Sequence, residues 1–113
     1  MNIKALAGKI GLDYENTLED FCGDVSALSD KLKKFPKECG IASLEAAIEL
    51  DDALAIRKAA HAIRKASEKV GLTSLTKAAS RVEDAEDEKL NCACQALIEK
   101  YNEIQEELSK YTS

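Results

Sequence analysis

ALAIRKAAHAIRKASEKV, residues 53–70, places Ala53, Ile56, Ala60, Ile63, Ser67 and Val70 at alternating spacings of three and four. Those spacings follow the helical repeat of roughly 3.6 residues and draw one continuous stripe down a helix, the seam of a helix packed in a bundle. The stripe is narrow and made largely of small residues, and Gly71 ends it. Downstream, Leu75, Ala79 and Val82 predict a helix from about Thr73 that stops near the acidic run at 83–88. Leu90, Cys94, Leu97, Tyr101, Ile104 and Leu108 then alternate four and three, so the last helix lines a core for about six turns. Upstream, Ile41, Leu44 and Ile48 predict an amphipathic helix down to Asp51 and Asp52, either of which can cap the helix at Ala53.

The connections at 51–52, 71–73 and 85–88 are short, which makes these four helices sequential antiparallel neighbours. The expected architecture is all-α, an up-down-up-down four-helix bundle with additional short N-terminal helices that cap or extend it. Of those, one carries Val25, Leu28, Leu32 and Phe35, is kinked or ended by Pro36, and is followed by a restart at Gly40. A shorter one runs from Asp13 with Tyr14, Leu18 and Phe21 on one face and closes at Gly23 and Asp24. An opening segment carries Ile3, Leu6 and Ile10, with Gly11 as its stop.

Composition agrees with this pattern. A chain of 113 residues fits one domain, 1–113, that can bury its own core without disulfides or metals. Aromatics are only 4% of the sequence, there is one Pro and no Trp, and Ala, Leu, Glu and Lys dominate, which favours helix over sheet. The formal charge of −5 opposes attraction to nucleic acid or to anionic membranes. No run reaches the roughly 20 apolar residues of a membrane span, and Met-Asn-Ile-Lys at the start lacks the apolar stretch of a signal peptide. The expected location is the cytoplasm. The opening Met1 and the ending at Thr112-Ser113 read as a free-standing protein, and the lack of a long unpaired apolar helix favours a monomer.

In that compartment Cys22, Cys39, Cys92 and Cys94 are expected reduced and mostly buried. The pair Cys92 and Cys94 points to different faces of a helix, and no Asp, Glu, Cys or second His stands three or four residues from the single histidine, so no metal site is expected.

That histidine, His61, directly follows Ala60 of the seam, and a rotation of about 100° per residue puts it at the edge of the apolar stripe, open to solvent. Its neighbours three and four residues away are Arg57, Lys58, Arg64 and Lys65, all basic. With Lys69, and against Glu68 alone, residues 53–70 hold a net +4 in a chain of −5. Cations around a neutral imidazole suit a nitrogen nucleophile and would pair with the oxygens of a transferred phosphoryl group. General acid–base catalysis lacks a carboxylate near His61 in sequence.

The run Ala60-His61-Ala62-Ile63-Arg64-Lys65-Ala66-Ser67-Glu68-Lys69-Val70-Gly71-Leu72, followed by Leu75 and by Val82-Glu83, resembles the signature of histidine-containing phosphotransfer domains. That signature reads Ala-His, an apolar residue, a basic residue, usually Gly, two small residues, and Gly ten positions after the His. Ala60, His61, Ile63, Arg64, Ala66, Ser67, Val70 and Gly71 fit it, whereas Lys65 stands where Gly is usual. Residues 11–24 and 46–52 also look like the family's N-terminal segment and the lead-in to its active helix, so the resemblance covers nearly the whole chain.

The resemblance implies a phosphorelay intermediate: His61 takes a phosphoryl group from a receiver domain's aspartyl phosphate and passes it to another receiver. It implies response-regulator receiver domains and a hybrid histidine kinase as partners. It also implies no cofactor on this chain, the magnesium ion being the receiver's, and a phosphocarrier without autonomous catalysis. Arg64 and Lys65 would supply cations to the phosphoryl group, with Arg57 and Lys58 as further candidates. Ala62, Ala66 and Leu72 would form a docking patch around the histidine, and Ser67 and Gly71 would be structural. A Gly in place of Lys65 would leave a gap beside the imidazole for a partner's backbone; the lysine fills part of it but can swing away. The alternative function is an interaction module, a helical bundle that binds a receiver while His61 stays unmodified.

Overall fold

The computed structural model describes residues 7–8 and 10–112. Among them six helices are defined: α1 (Tyr14–Asp20), α2 (Val25–Glu38), α3 (Ile41–Glu49), α4 (Ala53–Lys69), α5 (Thr73–Asp84) and α6 (Asp87–Thr112). Of the opening amphipathic segment, Ile3 and Leu6 lie outside the described residues, while Ala7 and Ile10 are buried in the core.

Helices α3 to α6 pack each against the next, most extensively α4 on α5. The end of α3 and α6 share a groove lined by Ile48, Asp51, Cys94 and Ile98, and α2 packs against α6. Apart from Ala53, which is half-buried, the seam read from the sequence is the buried one: Ile56, Ala60, Ile63 and Ser67 on α4, Val70 at its C-cap, and Leu90, Cys94, Leu97, Tyr101, Ile104 and Leu108 on α6 are all buried. At 26 residues, α6 is about 39 Å long, which accounts for the molecule's longest extent of 41 Å. No helix among the described residues is long and apolar enough to cross a membrane.

Local chemistry sets the helix ends. The Asp24 carboxylate accepts from the Ala27 N–H at 3.1 Å, and that of Asp52 from the Ala55 N–H at 3.2 Å. These side chains satisfy donors that a helix start leaves open. Of the two candidate caps before α4, Asp52 is therefore the cap, and Asp51 takes up the left-handed turn at φ 53°.

At the N-terminal side the choice left open at Pro36 is decided and one expectation is corrected. Pro36 stays inside its helix, α2 runs on to Glu38, and the break comes at Gly40 with φ 89°, where the restart was expected. The proline sits in the last turn, where its missing N–H costs a single intrahelical bond. Its carbonyl accepts from the Tyr101 hydroxyl of α6 at 3.0 Å, which ties the end of α2 to the bundle. The N-terminal helices are not all short, since α2 has 14 residues against 9 in α3. It packs along α6 as part of the body of the molecule.

The chain ahead of α1 straps the turn between α4 and α5. Asp13 N–H donates to the Gly71 carbonyl at 2.8 Å, Thr73 Oγ1 to the Gly11 carbonyl at 2.9 Å and Ser74 Oγ to the Ile10 carbonyl at 3.1 Å. Gly71 is required twice over, because its φ is 71° and because a Cβ there would overlap the buried Thr17 side chain. Gly71→Ala should therefore lower stability by about 1–3 kcal/mol. At roughly 4–8 °C per kcal/mol for a domain of this size, the loss will be visible in a melting curve.

All four thiols are free, with Cys22 and Cys92 exposed and Cys39 and Cys94 buried. Burial pushes the Cys39 and Cys94 thiols up from their ordinary value, which holds them as unreactive SH groups. A disulfide-exchange reagent at neutral pH should titrate Cys22 and Cys92 quickly, and Cys39 and Cys94 only after the chain is unfolded.

Candidate functional site

Helices α4 and α5 build the site. Their buried faces present Ala59 and Ala60 on one side and Ala78, Ala79 and Val82 on the other. Small side chains let the two backbones approach, and the turn at 70–72 folds α5 back along α4. Glu83 lies eleven residues beyond Leu72 and His61 eleven before it, so the hairpin sets the two side by side.

His61 projects from α4 with 53% of its side chain exposed. Its Nδ1 faces inward, 3.0 Å from Arg64 Nη2 and 3.5 Å from Glu83 Oε2. Arg64 is held in turn: its Nε donates to Glu83 Oε1 at 2.7 Å and its Nη1 to Glu68 Oε1 at 2.9 Å. The hydrogen bonds to Glu83 and then to Glu68 raise the guanidinium's pKa above its ordinary value, fixing it as a cation. Below it, the Ser67 and Thr76 hydroxyls lie 2.7 Å apart and share a hydrogen bond in which either can donate, and the other proton goes to a backbone carbonyl, that of Arg64 at 2.9 Å from the buried Ser67 Oγ or that of Leu72 at 3.1 Å from Thr76 Oγ1. Ser67 thus ties the backbone beneath Arg64 to α5.

The two contacts of Nδ1 make opposite demands on the ring. A guanidinium has only donors, so Arg64 requires a lone pair on Nδ1 and leaves the proton of the neutral ring on Nε2. A carboxylate only accepts, so Glu83 requires Nδ1–H. The Arg64 contact is the shorter by 0.5 Å and is the one satisfied in this conformation. Nε2 has no hydrogen-bond partner among the described residues and is the nitrogen available to an incoming group.

The expected ring of four cations is reduced to one. Arg57 turns away and donates to the Ala85 carbonyl at 2.9 Å and to Asp87 Oδ1 at 2.8 Å, clasping the turn between α5 and α6. Lys58 and Lys65 are exposed, with no hydrogen bond or ion pair among the described residues. Lys65 lines a groove between α4 and α2 instead of lying against the imidazole. Ala62 is exposed and Ala66 half-buried in the same groove. Leu72 is a correction: it is completely buried and bridges Leu12 of the N-terminal strap, so it offers nothing to a docking partner. The strap, invisible to helical periodicity, is what covers it.

Glu83 is the site residue that spacing along one helix could not supply. Its signal is the hairpin relation about Leu72, which becomes usable once α4 and α5 are taken as antiparallel. Leu50 and Leu54, 77% and 64% exposed, also stand out beside α4's N-terminal turn. Among the described residues no group of three or more His, Cys, Asp or Glu side chains comes together as a metal site.

A model of the Hpt domain matches residues 17–111. No curated protein and no solved structure matches the chain.

The geometry fixes a tautomer that nitrogen NMR can read. In the neutral ring of the native chain, Nε2 should carry the proton and Nδ1 the lone pair. Arg64→Ala should move the proton toward Nδ1, where Glu83 accepts it.

Proposed function

The chain belongs to the Hpt domain family, whose members carry phosphoryl groups in His–Asp phosphorelays, and on that premise we propose that His61 Nε2 is the phosphoryl acceptor and donor. The observation behind this reading is the exposed imidazole whose other nitrogen is held between Arg64 and Glu83. One nitrogen is enclosed and positioned, and the other is presented.

The step balances as follows. Arg64 releases Nδ1, the ring proton moves from Nε2 to Nδ1, where Nδ1–H donates a hydrogen bond to Glu83 Oε2, and a lone pair is left on Nε2. That lone pair attacks the phosphorus of a receiver's aspartyl phosphate. The Nε2–P bond forms as the bond from phosphorus to the aspartyl oxygen breaks, and the electron pair leaves on the aspartate carboxylate. The released Arg64 guanidinium can then pair with the phosphoryl oxygens. The reverse sequence hands the group to a second receiver. Magnesium in this scheme is held by the receiver, and a hybrid histidine kinase is the source of the group upstream. In both directions this chain contributes placement and charge, the effects that dominate phosphoryl transfer.

Incubation with magnesium-loaded, phosphorylated receiver domains should label the chain with an acid-labile, base-stable phosphate. The label should map to His61 and vanish in His61→Gln. Binding of receivers without any label would instead favour an interaction module. Glu83→Ala should slow transfer about 10- to 100-fold, because it removes the Nδ1–H acceptor and loosens Arg64. Glu83→Gln, whose amide oxygen can still accept a hydrogen bond from Nδ1–H, should recover much of the rate.

A further inference from the structure

Helices α5 and α6 enclose a groove of about 780 Å³ to which α4 contributes no residue. On α5, Glu83 turns toward His61, whereas Arg81 and Asp84 line this groove. Its floor is alanine, Ala78 and Ala85 from one wall and Ala93 and Ala96 from the other. The walls, residues 77–85 and 89–96, are each roughly 10–12 Å of helix. One end is closed where the two helices converge at their connecting turn, which Arg57 clasps through the Ala85 carbonyl and Asp87. Charge is uneven along its length. At the closed end Asp84 and Lys89 stand on opposite walls and offset each other. Toward the open end Arg81 and Lys77 follow one turn apart on α5, and no other carboxylate lines the groove. Both are exposed and make no hydrogen bond or ion pair among the described residues.

We propose that this groove binds a small amphiphilic anion, a medium-chain acyl carboxylate, with its head between Lys77 and Arg81 and its apolar chain over Ala85, Ala93 and Cys92. The proposal is independent of what His61 does. The volume falls within the roughly 300–1,000 Å³ of small-molecule sites. The gradient along the groove matches the ligand: an alanine floor that gains by being covered, then two unpaired cations that gain by meeting a carboxylate. A free anion suits this chain better than an anionic lipid surface, because a net charge of −5 opposes approach to a membrane. A partner protein's helix fits less well, since the turn between α5 and α6 blocks its path at one end. A second copy of this chain is poorer still, because a two-fold contact through this face would bring like cations together.

The cysteines provide the test. Cys92 is exposed on the groove wall, and Cys22, exposed in the turn between α1 and α2, is an internal reference. The native chain is alkylated with N-ethylmaleimide in the presence and absence of decanoate below its micelle concentration, and each thiol is followed by mass spectrometry. Saturating decanoate should slow Cys92 about fivefold or more by covering it and leave Cys22 unchanged. Hexanoate, with less apolar surface to bury, should need about tenfold higher concentration or more. Decyltrimethylammonium, the same chain with the opposite charge, should protect neither thiol. Lys77→Glu/Arg81→Glu, at two exposed positions, should raise the decanoate concentration for half-protection about tenfold or more. Unreactive Cys39 and Cys94 will show that this variant is folded. No slowing of Cys92, equal slowing of Cys22, equal protection by the cationic chain, or a folded double variant that binds decanoate as the native chain does would each overturn the proposal. So would protection by phosphatidylglycerol vesicles without protection by free decanoate, which would point to a membrane surface instead.

Discussion

The close packing of α4 on α5 is the constraint from which the site follows. It requires small residues on the two buried faces, supplied by Ala59, Ala60, Ala78 and Ala79, and a reversal of direction within residues 70–72. That reversal in turn requires a left-handed residue at Gly71, and the space a Cβ would occupy there is taken by Thr17. The strap formed by residues 10–13 then binds across the turn through backbone and hydroxyl hydrogen bonds. A larger residue anywhere in this sequence of contacts would move α5 outward, and Glu83 would leave hydrogen-bond reach of Arg64. The electrostatics of an exposed histidine are therefore set by packing at the far end of the hairpin.

Within the site, Arg64 links the elements. One guanidinium bonds to Glu83 on the neighbouring helix, to Glu68 one turn along its own, and to the imidazole one turn back. With 24% of its side chain exposed, it is partly shielded from solvent yet remains reachable. An arrangement with one cation and two carboxylates has two competing uses for that cation. At rest it occupies Nδ1, and with a phosphoryl group present it has a stronger anion to pair with. Glu83 is placed to accept the ring proton once Nδ1 is vacated. The ion pair and the tautomer of His61 are thus two aspects of one equilibrium.

Much of this was legible in the sequence. Alternation of three and four identified the buried seams of α4 and α6 residue by residue, because a long amphipathic helix repeats its signal several times. The His-Ala-Ile-Arg run placed Arg64 beside His61, since residues three apart share a helix face. What the sequence did not reveal depends on contacts between distant segments. Arg57, a further candidate four residues before His61, is drawn away because the α5–α6 turn offers it the Ala85 carbonyl and Asp87. Leu72 looked available until the strap, which has no periodicity of its own, covered it. Glu83 belongs to the site only because a hairpin returns it there. At Pro36 the sequence left a kink and an end both open, and a proline in the last turn of a helix sacrifices too little to end it.

A carrier of phosphoryl groups has to release what it binds, and that bears on the number of cations at His61. Each tenfold tightening of the bound group is worth about 1.4 kcal/mol and would have to be returned at the next transfer. Four unpaired cations around the ring would make a strong anion trap and a poor intermediate. The fold instead commits Arg57 to a turn, ties Arg64 to two carboxylates, and directs Lys65 into the groove toward α2. On the proposed reading of His61, the phosphoryl group meets one shared cation, Arg64, so that a transfer stays close to balanced in energy.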